Sequence, residues 1–211
     1  MSKKELGFSI FLTSMYLGGL AGIMLPIHPD FVYLTPFNLL ASLVIVLWFH
    51  EKWDRALGIF LLICFLTGFV VELVGVQTGL IFGAYHYGEV LGWKIWGTPI
   101  IIGVNWALLV YTSAATIQYF LPNLNQWIKV VLGAIAMVGL DILIEPVAIH
   151  LKFWTWGTVE VPIQNYIAWF LVALPLQAAF YALLGALTNK VAIVLFILQF
   201  LFFGALLLSH Y

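Results

Sequence analysis

Seven apolar runs, each close to the length that crosses a bilayer, follow one another with only short polar breaks between them. A spanning helix needs about 20 mostly apolar residues, because once water is gone every backbone N–H and C=O must find a partner within the segment. The runs lie at about 6–25, 36–50, 56–74, 98–120, 128–149, 165–187 and 191–208. The breaks carry loop residues: "PIHPD", "FHEKWDR", "LPNLNQ" and "TNK". The runs are continuous and do not alternate residue by residue, which argues against a membrane β-barrel. The sequence predicts an all-α, polytopic membrane helix bundle of about seven transmembrane helices. No linker or shift in composition divides residues 1–211, so one integral membrane domain is expected.

Charged residues make up 8% of the chain, against about 25% in soluble domains. A net charge of −1 gives no reason to expect nucleic acid or a polybasic hold on anionic lipid. The single cysteine, Cys64, rules out an internal disulfide. Under a seven-helix count, Lys3, Lys4, Lys52, Arg55, Lys129 and Lys190 fall on one side of the membrane, and only Lys94 and Lys152 on the other. By the positive-inside rule the N-terminus is cytoplasmic, in a prokaryotic cell membrane, and the C-terminus is outside.

Residues 75–97, "GVQTGLIFGAYHYGEVLGWKIWG", do not fit a spanning helix. Gly75, Gly79 and Gly83 would form one small-residue stripe on a helix. A phosphate-cradling loop would need the Lys-Ser/Thr ending that is missing here. The favoured reading is an interfacial or re-entrant segment, packed by its glycines and by Phe82, Tyr85 and Tyr87.

Acids are costly at membrane depth, roughly 2.5 to 3.5 kcal/mol for an Asp near a helix centre. Yet "VGLDILIEPVAIH" keeps Asp141 and Glu145 four residues apart, on one helix face. In the seven-helix topology Glu72 reaches the same depth from helix 3. Asn105 and Trp106 reach it from helix 4, and Asn165, Tyr166 and Trp169 from helix 6. The loop before helix 6 adds Trp154 and Trp156. Carboxyls sharing a low-dielectric pocket cannot all carry charge, so at least one is expected to stay a neutral acid beside a conjugate base. Pro146 is expected to disturb the helix turn next to the cluster.

The five histidines show no metal-ligand spacing, and no dinucleotide fingerprint or Asp-rich diphosphate box occurs. Residues 191–208 hold no lysine for a retinal Schiff base. No cofactor is expected, and acid–base chemistry in an aromatic pocket is what remains.

"ELVGVQTGLIFGAYHY", "GTPIIIGVNW", "DILIEP", "WTWG" and "NYIAW", in that order, resemble the carotenoid hydratases of the γ-carotene 1′-hydroxylase and bisanhydrobacterioruberin hydratase type. The resemblance covers roughly residues 70–170. It implies a cofactor-independent hydro-lyase that adds water to the terminal double bond of an acyclic (ψ) carotenoid end and gives a tertiary alcohol. Its implied partners are the carotenoid, water and the bilayer, with association with other carotenoid enzymes as a further expectation. The chemistry of the residues agrees. Asp141 or Glu145 would protonate the alkene, and Glu72 would serve as the water-side base. Asn105 and Asn165 would hold the water, and Trp106, Trp156 and Trp169 would face the cation. Trp154, Tyr166, Tyr85 and Tyr87 complete the expected substrate-binding set. A lycopene-type cyclase or a proton-coupled transporter are the alternatives.

The charge asymmetry makes a direct prediction. A reporter fused to the C-terminus should read the outer side of the membrane; a cytoplasmic reading would remove one helix from the count.

Overall fold

The computed structural model describes residues 1–25 and 29–209, so part of the "PIHPD" break lies outside the described residues. The helices are α1 (Lys3–Met24), α2 (Thr35–Trp48), α3 (Arg55–Thr78), α4 (Ile101–Phe120), α5 (Gln126–His150), α6 (Ile163–Leu184) and α7 (Lys190–Leu208). A 3-10 turn, Pro29–Leu34, leads into α2. Among the described residues seven helices are long and apolar enough to cross a membrane, as the hydrophobic runs require.

The polar breaks also start the helices. A helix N-terminus leaves backbone N–H groups without partners, and a short polar side chain can accept from them. Asp54 of "FHEKWDR" accepts from the N–H groups of Ala56 and Leu57 at 2.9 and 3.1 Å. Asn125 of "LPNLNQ" caps α5, and Asn189 of "TNK" caps α7. Ser2 and Glu5 form a reciprocal capping box on α1.

Helix α4 is the axle of the bundle, in contact with α2, α3, α5, α6 and α7. Every residue from Trp106 to Thr116 is buried. The helix tolerates Thr112, Ser113 and Thr116 because each hydroxyl donates to a carbonyl four residues back, at 2.8, 2.6 and 2.7 Å. Around α4, α5 packs on α6, α3 on α4, and α1 on α7. The outer faces carry exposed leucine, isoleucine and valine, such as Leu62, Leu66 and Leu171, as a lipid-facing surface demands.

Residues 79–100 form turns and short strands. Gly79 ends α3 with φ +67, and its N–H bonds back to the Gly75 carbonyl at 2.8 Å. Gly75 is therefore the only helical member of the glycine series; a Cβ there would lie 2.7 Å from the Phe82 ring. Strand β1 (Tyr85–Tyr87) pairs antiparallel with β4 (Trp154–Trp156), while β2 (Lys94–Ile95) and β3 (Thr98–Pro99) form a hairpin. Thr98 thus belongs to the hairpin, and α4 starts at Ile101. Helix α5 runs through Pro146 to His150 without a break. Pro146 offers no N–H to the Ile142 carbonyl four residues back.

The C-terminal halves of α3 and α5, the N-terminal halves of α4 and α6, and the β1–β4 pair all occupy one end of the bundle. Close approach of α3 to α4 there depends on Gly68, where a Cβ would overlap the Trp106 side chain. Gly68→Ala should destabilise the protein by about 1–3 kcal/mol, as expected for overpacking. Gly18 has open space around it. There, alanine should be neutral or gain up to about 1 kcal/mol. Thermal unfolding of the two variants in detergent checks the contrast.

Candidate active site

A strand places alternate side chains on one face, and directly paired residues share a face. In the β1–β4 pair, Tyr85 is opposite Trp156, and Tyr87 is opposite Trp154. Four aromatic side chains with polar tips therefore stand on one side of a two-stranded ribbon, and His86 and Thr155 face away. The four tips divide between two carboxyls. Tyr85 and Tyr87 donate their hydroxyls to Glu72 Oε2 at 2.6 and 2.7 Å. Trp154 and Trp156 donate their indole N–H groups to Glu145 Oε2 at 2.9 and 2.8 Å. The rings also pack on each other, with Tyr85 and Trp156 centroids 5.1 Å apart.

The helices complete the site. Trp106 of α4 donates to Glu72 Oε1 at 3.2 Å and stacks on Trp169 of α6, with ring centroids 4.3 Å apart and planes at 21°. Asn165 of α6 bridges the two acids of α5. Its Nδ2 donates to Asp141 Oδ2 at 2.9 Å and to Glu145 Oε1 at 3.2 Å. Asp141 and Glu145 are each 2% exposed, and Glu72 is 4% exposed. Burial, with the Glu72 carboxylate beside them, pushes the phenols of Tyr85 and Tyr87 well above the usual tyrosine range, so both stay protonated and donate.

The donors are shared unequally. Glu72 receives three side-chain donors: Tyr85, Tyr87 and Trp106. Glu145 also receives three: Trp154, Trp156 and Asn165. Asp141 receives one, from Asn165, on Oδ2 alone. Hydrogen bonds to a carboxylate favour its charged form. The arrangement provides two well-solvated carboxylate positions and one poorly solvated position.

A cavity of about 40 Å³ lies between these groups. It has room for a few water molecules. Glu72, Asp141, Glu145, Asn105, Asn165, Trp154, Trp156, Trp169, Tyr85 and Tyr87 all reach it, so most of the sequence-derived set is gathered around one space. Two members are placed differently. Trp106 stands behind Trp169 and touches Glu72, and Tyr166 lines a separate surface on α5 and α6. Phe82 and Ile102 line the cavity as well and were absent from the set. The strand pairing was missed too. Its signal was present in "YHY" and "WTW", each aromatic–polar–aromatic with period two.

A family model described as "Carotenoid biosynthesis protein" matches residues 33–210, which include every residue of this site. The chain belongs to the carotenoid biosynthesis protein family. It is 31% identical over 159 residues to the bisanhydrobacterioruberin hydratase of Haloarcula japonica, a match covering 72% of this chain and 54% of that protein. The chain thus spans about half the length of the curated relative it matches. No solved structure matches it.

The unequal sharing of donors has a consequence for stability in this family member. Glu72→Leu strands three buried donors, and Asp141→Leu strands only one of the two hydrogens of the Asn165 amide. At about 1–3 kcal/mol for each unsatisfied buried group, Glu72→Leu should be more destabilising by roughly 2 kcal/mol or more. Unfolding of the two purified variants in the same detergent gives the comparison.

Proposed function

We propose that this chain is a carotenoid hydratase, an enzyme that adds water across the terminal C1–C2 double bond of an acyclic (ψ) carotenoid end by acid catalysis. The supporting observation is a water-sized cavity flanked by one donor-poor acid, Asp141, and two donor-rich carboxylates, Glu72 and Glu145. Membership of a carotenoid biosynthesis family and the likeness to a hydratase support the reading.

Asp141 holds the proton, since it has the fewest donors to stabilise a negative charge. The alkene π pair takes that proton to form a C2–H bond, leaving a tertiary cation at C1. An indole face stabilises such a cation by about 2 kcal/mol or more when desolvated. Trp169 lines the cavity and fills this role, backed by the stacked Trp106. Water then attacks C1 and gives up a proton to Glu72, the base on the water side. The proton returns to Asp141 through the cavity water, so none is consumed. Glu145 stays charged under its two indole donors and offsets the cation. The product is a tertiary alcohol, and the chemistry needs no cofactor.

Asn105 favours hydration over ring closure. It lines the cavity and, among the described residues, has no hydrogen-bond partner for its amide within the protein. A free amide at that place suits a bound water, which a cyclase would have to exclude. With the N-terminus in the cytoplasm, this end of the bundle meets the outer leaflet of a prokaryotic cell membrane.

The test is product chemistry. Purified enzyme given an acyclic carotenoid without O₂, in heavy-oxygen water and then in D₂O, should place the label in a tertiary hydroxyl and one deuterium on the neighbouring carbon. A requirement for O₂, or a ring-closed product without oxygen, would overturn the reading. Asp141→Asn should lower kcat by about 10²–10⁴-fold, the usual worth of a positioned general acid.

A further inference from the structure

The cavity at the carboxyls, about 40 Å³, is far too small for a carotenoid. If the hydratase reading holds, only the reacting end enters, and the polyene must lie against apolar surface outside. A groove of about 360 Å³ runs between α5 and α6 on their outer side, and its walls expose no polar surface. We infer that this groove holds the polyene of the substrate, with the reactive end turned in towards the carboxyls beside Tyr166.

The register of the two helices carries the inference. On α5 the groove is walled by Ile135, Val138 and Ile142. These residues lie three and four positions apart, on one stripe of the helix. Glu145 continues that stripe, three residues beyond Ile142 and seven beyond Val138, and Asp141 immediately precedes Ile142. The stripe spans about 10 Å at 1.5 Å per residue and ends at the depth of the acids. On α6 the walls are Tyr166, Ile167 and Phe170, of which Tyr166 and Phe170 directly follow the site residues Asn165 and Trp169. Tyr166 lines the groove and directly follows Asn165, whose amide donates to both Asp141 and Glu145. Gly139 also lines the groove. A Cβ there would meet only Phe200, at 4.0 Å, so the helix packing does not require a glycine. A lipid acyl chain would also fit an apolar groove; the groove's place between the two helices that carry Asp141, Glu145, Asn165 and Trp169 selects the substrate's own polyene.

Adding bulk at Gly139 tests this. Wild type and Gly139→Leu in lipid nanodiscs are titrated with a full-length acyclic carotenoid and with a short acyclic terpene bearing the same gem-dimethyl alkene. Binding is followed by quenching of tryptophan fluorescence, and turnover by product analysis. Gly139→Leu should weaken carotenoid binding about tenfold or more and lower the carotenoid-to-terpene ratio of kcat/KM by a similar factor. Val138→Trp, which fills the groove from its wall, should do the same, and covers the case in which Gly139→Leu fails to fold. Binding and ratio both unchanged in a folded variant would overturn the inference and leave the groove to lipid. A wild type that binds carotenoid, loses it on Gly139→Leu, yet never hydrates it would instead overturn the hydratase reading and keep the groove as a polyene site.

Discussion

A carboxyl group inside a bilayer needs donors, and this requirement organises one whole end of the molecule. Three acids sit there, all buried. Helices alone present few hydrogen-bond donors, because their backbone groups are already used. The protein solves this with two three-residue strands, one between α3 and α4 and one between α5 and α6. Their pairing aims two phenols and two indoles at the carboxylates from the same face. The strands are too short to be stable alone. They are held by the rings they carry and by the acids those rings serve.

The same arithmetic separates the three acids chemically. Glu72 and Glu145 each receive three donors, Asp141 one. Equivalent carboxyls in equivalent surroundings would give no direction to proton movement. In the proposed hydration this unequal supply of donors would provide one site for a held proton and two for negative charge, the pattern expected where acid and base must coexist. The water-sized cavity lies between them, and the stacked pair Trp106–Trp169 is at its side.

The bundle was legible in the sequence because membrane helices are specified by a one-dimensional property, the length of an apolar run. The gathering of Glu72, Asn105, Asp141 and Asn165 followed from topology: alternate helices run in opposite directions, so the end of one is level with the start of the next. The donor assignments did not follow. Tyr85 and Trp156 are partners across 71 positions, and the period-two pattern of "YHY" and "WTW" does not say that these two segments pair with each other. Trp106 could be placed at the right depth, but only packing shows that it stands behind Trp169. Tyr166 was expected at the acid cluster, yet it lines the outer groove, because the residue after Asn165 is turned about 100° around the helix. Thr98 was counted into α4, since its apolar neighbours hide the short hairpin that precedes Ile101.

The most direct measurement of this division of labour is infrared spectroscopy of the resting protein in H₂O and D₂O. A protonated carboxyl shows a C=O stretch that shifts on deuteration, and an ionised one does not. One such band should be present in the wild type, persist in Glu72→Gln, and vanish in Asp141→Asn. Survival of the band in Asp141→Asn, or its loss in Glu72→Gln, would contradict the assignment of the held proton to Asp141.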